Sequence, residues 1–261
     1  MRAQELKTLN TDLETLGLTI PTQVVKYEDY LHKLDNIRHA EARRELQGIN
    51  TVDDIEAEVN QRTDDVIRAA AKGEQIRLLK DSVHRHIEIA YINTTDDLID
   101  QLAPLAHKAH DTIMKAADKL GTISTDAAVA ARDIKSYDQA MQAFDTLETA
   151  HRIRMRLHAL DAPDIERALL RRVYTWRYAH LDAWRAYDHL GDAGSPVTNH
   201  VATARTEGIT FAWLSTTEAE QQSHMLGKMQ TAENRGELEA GMVFDKESMV
   251  YRVGADAWKY L

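Results

Sequence analysis

The spacing of apolar residues leaves this chain few folds to choose from, because leucine, valine, isoleucine and aromatic residues return every three or four positions along most of its length. That interval matches the 3.6-residue turn of an α-helix and gathers the apolar side chains into one stripe, which must be buried against another. Leu6, Leu9, Leu13 and Leu16 are spaced +3, +4, +3 and predict a first helix, stopped by Gly17 and Pro21. Val24, Tyr27, Leu31 and Leu34 mark one face of a second, over about 22–47 and ending at Gly48. The two should form a helical hairpin.

Thr51, Asp53 and Asp54 are a good helix start: a hydroxyl can cap the exposed amides, and acids suit the positive end of the helix dipole. A helix from there to Ile92 would span roughly 60 Å. Its seam through Val52, Ile55, Val59, Val66, Ile76, Val83 and Ile87 is interrupted by Arg62, Gly73 and Lys80, which argues for a bundle helix, kinked near Gly73, over a continuous two-stranded coiled coil. The next stripe runs Leu98, Leu102, Leu105, Ala109, Ile113, Ala116, Leu120, with Pro104 expected to kink it and Gly121 to end it. Thr125 then opens a helix whose inner face is read as Ile134, Tyr137, Met141, Phe144 and Leu147, continuing through His151, Met155 and His158 to the break at Pro163.

Leu169, Val173, Trp176, His180, Ala183, Tyr187 and Leu190 form the most regular stripe and predict a core or oligomer-facing helix. The turn cluster Gly191-Asp192-Ala193-Gly194-Ser195-Pro196 follows, and a boundary is expected there, dividing a helical domain of residues 1–190 from a small unit of residues 191–261. In that unit Ile209–Trp213 reads as a strand or a short buried helix, and Thr217 to Glu220 as a capping box. Met242–Phe244 and Met249–Val253 read as a β-hairpin about a polar turn, the one convincing β signal. The fold class that follows is mainly α: a multi-helix bundle or elongated helical hairpin array, with a small C-terminal α/β subdomain of helix plus β-hairpin. With 11 glycines and 4 prolines in 261 residues, breakers are too scarce for a sheet-rich or linker-rich chain.

Charge narrows the functional classes. The net charge is −10, and it is unevenly spread. Residues 1–150 carry 18 Lys and Arg against 27 Asp and Glu, residues 151–190 carry 8 arginines against 5 acids, and residues 191–261 carry 6 against 10. Nucleic-acid binding over the whole surface is disfavoured, and only a local basic face, such as the middle segment, could do that job, since it needs clustered positive charge. Its candidates are Arg152, Arg154, Arg156, Arg167, Arg171, Arg172 and Arg177, interleaved with Tyr174, Trp176 and Tyr178. Arginine among aromatics is one way single-stranded nucleic acid is met, but the same arginines suit contact with another protein or with the acidic half of this chain. The order helix then hairpin near the C-terminus is that of a winged-helix module, although the segment in the recognition position, Glu218 to His224, is acidic.

Motifs for chemistry are missing. There is no phosphate-binding Gly-rich loop, no His-Glu-x-x-His and no Gly-x-Ser-x-Gly, and with no cysteine there is no thiolate metal site or disulfide. Acid-x-x-His pairs, the unit of carboxylate-bridged metal sites, occur at Asp29/His32, Asp81/His84 and Glu148/His151. With 42 acids in 261 residues, about two such pairs beside twelve histidines are expected by chance, so no metal or other cofactor is expected. His151, His158 and His180 lie on apolar stripes, where burial beside arginine would hold them neutral. The N-terminus has no apolar leader and no 18-residue apolar run occurs, so a soluble cytoplasmic protein without a membrane partner is expected. Together these readings point to a non-enzymatic structural or scaffolding protein that self-associates or binds another protein through its helices, with a nucleic-acid-binding regulator as the alternative.

Overall fold

The computed structural model describes residues 3–39, 52–161, 174–179, 181–190, 195–234, 242–245 and 250–253. The architecture is mainly α with two small antiparallel sheets, and it clusters into two compact units: residues 1–14 with 19–94, and residues 15–18 with 95–261.

The first unit is built from α1 (Ala3–Thr15), α2 (Thr22–His39) and α3 (Val52–Ile92). Leu6, Leu9 and Leu13 of α1 are buried as their spacing predicts, and Gly17 follows at φ 70, a conformation that costs glycine little. Val24 is fully buried, and Tyr27, Leu31 and Leu34 are the shielded side of α2, which packs along α3. Between residues 76 and 91, α3 buries Ile76, Ile87, Ala90 and Tyr91, so this part of the predicted seam is a seam in fact. Lys80, which interrupts it, reaches Asp35 of α2, and the Tyr91 hydroxyl donates to Asn10 of α1, whose amide donates to Glu28 of α2. Each helix of the unit is thus tied to another by a polar bond as well as by apolar contact. The expected ends at Gln47 and Gly48 and the start at Thr51 lie outside the described residues.

The second unit is organised around α4 (Thr95–Leu120) and α6 (Ile134–Asp161), its most extensively packed pair. Nine residues of α4 are buried at helical spacing, from Leu98 to Leu120, and the helix passes Pro104 without a break. On α6 the buried row is Ala140, Phe144, Leu147, Ala150, Ile153 and Leu157. The sequence-based face began one turn too early, for Ile134 is 57% exposed at the helix start. Nor does one helix run on from Thr125. A short α5 (Thr125–Ala130), capped by Ser124, ends before Arg132 at φ 55, and Asp133 opens α6 by accepting the Ser136 N–H at 3.0 Å and its hydroxyl at 2.6 Å.

The most regular predicted stripe is not a helix throughout. Trp176–Tyr178 is a strand, β1, paired antiparallel with β2 (Ile209–Phe211) in the register Trp176↔Phe211, Arg177↔Thr210, Tyr178↔Ile209. Tyr174, Trp176 and Tyr178 alternate with Thr175 and Arg177, and large aromatic residues at period two satisfy a strand as well as a +3/+4 count satisfies a helix. Of the stripe, Ala183, Tyr187 and Leu190 lie in a helix, α7 (Leu181–Leu190), and Leu169, Val173 and His180 lie outside the described residues. Between the strands come α7 and α8 (Pro196–Ala204), the latter begun by Ser195 as cap with Pro196 in the first turn, so part of the expected linker is a helix start. Residues 191–194, where the division at 190/191 was expected, lie outside the described residues, and the β1–β2 pairing joins the chain on either side of them.

Helix α9 (Thr216–Asn234) opens on Ser215, whose N–H donates to Glu218 at 2.9 Å, so the capping box is Ser215/Glu218, two positions before the predicted one. Its Gln222 is buried, with the carboxamide donating to Trp176 O at 2.8 Å and accepting the Tyr178 N–H at 3.2 Å. A helix side chain thereby occupies the open edge of β1, where an unpaired strand would otherwise invite another chain. The C-terminal hairpin is present: β3 (Met242–Asp245) pairs antiparallel with β4 (Val250–Val253), Met242 opposite Val253. Its turn residues 246–249 lie outside the described residues.

Candidate functional site

The arginine segment is where the sequence places its candidates, and the structure separates them. Arg154 is 2% exposed. It leaves α6 into a slot between the Tyr174 ring, 4.3 Å from the guanidinium carbon, and the Trp213 ring, 4.9 Å from it. One Nη donates to Tyr174 O at 3.3 Å and the other to Leu214 O, while Nε faces His158 Nε2 at 3.5 Å. Burial brings its pKa down to about 9, with Tyr174 and Glu218 opposing the shift. This arginine closes the core between α6 and the β1–β2 ends and presents nothing to a phosphate. Arg177 is half-exposed and paired with Glu218 at 3.2 Å. Arg152 is exposed and donates to Thr149 at 2.9 Å, and Arg156 is partly exposed. Arg167, Arg171 and Arg172 lie outside the described residues.

Histidines also gather in this unit. His158 stacks on Tyr174 at 4.4 Å, and His151 lies 5.2 Å from Trp213. A second group holds α4 to α8 and the small sheet: His110 stacks on Phe211 at 4.1 Å with the rings 6° apart, and its Nδ1 lies 3.0 Å from Nε2 of the buried His200. Trp176 meets His110 edge-on and lies tilted against His200 at 5.1 Å. Burial lowers the His110 pKa to about 4; Asp111 opposes the shift and His107 adds to it. A 3.0 Å contact between two imidazoles needs one proton between them, so the pair is stable when neutral and is disrupted when both rings are charged. Sequence spacing could not find this contact, since 90 residues separate the two rings. Among the described residues no group of three or more histidines and acids converges in a way that would hold a metal ion, and the three acid-x-x-His pairs do not come together as one site.

A different surface stands out in the first unit. On α3, Ala71, Gln75, Leu78, Ser82, Arg85 and Ile89 are all exposed, and they are spaced +4, +3, +4, +3, +4. This is a second heptad row, on the side of the helix away from the buried Ile76–Ile87 row. Leu78, Leu79 and Ile89 leave about half of their surface in solvent, at 47%, 52% and 46%. Arg77, on the flank of this row, binds Glu74 at 2.6 Å and Asp81 at 3.2 Å and so neutralises charge beside it. The sequence carried this signal, but the seam that fills the unit's own core has the same period and masks it.

No protein-family model matches the chain, and no curated protein or solved structure matches it. Among the described residues, none of the helices is long and apolar enough to cross a membrane.

Proposed function

We propose that this is a structural or scaffolding protein of the cytoplasm that acts through helix-mediated self-association, with the exposed row of α3 as the contact and a second copy of the chain as its partner. The observation that carries this reading is the row itself: Leu78 and Ile89, at heptad spacing on one 41-residue helix, leave about half their surface in solvent, with a third exposed leucine, Leu79, beside them. Surface leucines scattered singly need no explanation, but a row of this period is what a helix–helix contact requires. An antiparallel two-fold arrangement centred on residue 80 places Ala71 opposite Ile89 of the second copy and Leu78 opposite Ser82, with Leu79 beside the axis. Small faces large at two of these positions, as interdigitating helices need, and a self-complementary patch closes into a dimer. The stripe once expected to face an oligomer, around Trp176 and Ala183, is buried within its own unit and is not available for this contact.

The experiment is sedimentation of the full chain beside a Leu78→Asp/Ile89→Asp variant. Both side chains are exposed, so the variant should keep its circular dichroism and lose the oligomer. A wild-type protein that sediments as a monomer, or a variant that associates as the wild type does, overturns the proposal. Co-sedimentation with nucleic acid that salt strips away would instead favour the arginine segment as the working surface.

A further inference from the structure

Between α4 and α6 lies a cleft of about 640 Å³, a size in the range of small-ligand sites, roughly 300–1,000 Å³. Its lining includes two small side chains, Ala116 of α4 and Ala143 of α6. The walls are long and polar. Lys115 and Lys119 stand one turn apart on α4, and Gln139 and Gln142 face them from α6.

Charge distinguishes this cleft from the rest of an acid-rich surface. Lys115 makes no ion pair or hydrogen bond among the described residues, and the Lys119 ammonium makes only a long bond, 3.4 Å, to the Ser136 hydroxyl. The nearby acids have other bonds: Asp118, which also lines the cleft, is paired with Arg205 at 2.9 Å, and Asp133, within reach of the Lys119 charge, accepts both the N–H and the hydroxyl of Ser136. Neither lysine hydrogen-bonds a carboxylate among the described residues, although these two acids lie close by. The lining runs along the pair from Thr112 to Lys119 and from Ser136 to Thr146, so the hollow is elongated, roughly 10–15 Å at the rise of a helix. A compact monoanion would meet one ammonium; a linear polyanion can meet both.

We propose that the α4–α6 cleft binds a phosphate chain, the chemistry shared by inorganic polyphosphate and the phosphates of a nucleotide, with Lys115 and Lys119 as its charge contacts and Gln139 and Gln142 as carboxamide donors. Ammonium-to-phosphate hydrogen bonds are charge-assisted and lose strength in salt, which sets the signature of the site. The test is calorimetric titration of the full-length protein at low ionic strength with inorganic tripolyphosphate and, separately, with ATP. Saturable binding is expected, weakened about tenfold or more by Lys115→Gln and by Lys119→Gln singly and lost in the double variant, with unchanged circular dichroism because both lysines are exposed. Equal affinity for the two ligands assigns recognition to the phosphate chain alone, and tighter binding of ATP assigns it to a nucleotide. No heat from either ligand, or a double variant that binds as the wild type does, overturns the proposal.

Discussion

Replacing Arg154 by methionine tests whether a buried cation holds the second unit together. The side chain keeps most of its volume, so the change is chemical. Three effects oppose one another. Loss of the guanidinium removes two charge-assisted bonds, worth about 1.5–3 kcal/mol each, and leaves Leu214 O without that donor; Tyr174 O is better placed, since it also accepts the Leu214 N–H at 3.0 Å. It also removes the contacts with the Tyr174 and Trp213 rings, about 0.5–2 kcal/mol each. Against these stands the cost of keeping the charge in the core. A pKa of about 9 against an ordinary 12.5 puts that cost on the order of 5 kcal/mol, and methionine is free of it. These contributions centre on a loss of about 2 kcal/mol for Arg154→Met, with about 2 more for Arg154→Ala, which adds a cavity. Urea denaturation followed by circular dichroism reads both. An Arg154→Met protein as stable as the wild type would show that the clamp contributes nothing net and that the reasoning about it is wrong.

Acid should loosen the same unit through His110. Its folded pKa, about 4, lies below the unfolded value near 6.5, so its contribution is fully present above pH 6.5 and is lost as the pH falls towards 4. Allowing for the ring's partial exposure, this is about 1–2 kcal/mol. The difference in stability between wild type and His110→Gln, followed by urea midpoints from pH 7 to 4, should shrink by that amount, and a pH-independent difference would contradict the assignment. At Arg132, φ 55 is strained for a residue with a Cβ, so Arg132→Gly should stabilise by about 0.5–1 kcal/mol in a thermal melt; an unchanged or lower midpoint would show that the strain is absent.

Helices were legible where apolar spacing met clear stops, as in α1 between Leu6 and Gly17 or α4 between Thr95 and Gly121. The hairpin at β3 and β4 was legible because two β-rich runs flank a polar turn. Errors arose where two periods fit the same residues. Trp176 satisfied a helical stripe extended from Leu169, and what decided for a strand over Trp176–Tyr178 was its pairing with Ile209–Phe211, more than thirty residues on. The same distance hid the role of Arg154, since a charged residue on a basic segment carries no mark of the carbonyl groups it will meet. The α3 surface was hidden for the opposite reason. Its exposed row and the buried row of the same helix share a period, so the spacing alone could not assign one to the core and the other to a partner.

Light scattering coupled to size-exclusion chromatography, over a dilution series of the full chain at low and high salt, reads self-association through α3. Association through Leu78, Leu79 and Ile89 predicts a nucleic-acid-free dimer that dissociates on dilution and survives salt, because apolar burial is insensitive to screening. A monomer at every concentration would contradict the scaffold reading, as would an assembly that falls apart when salt is raised.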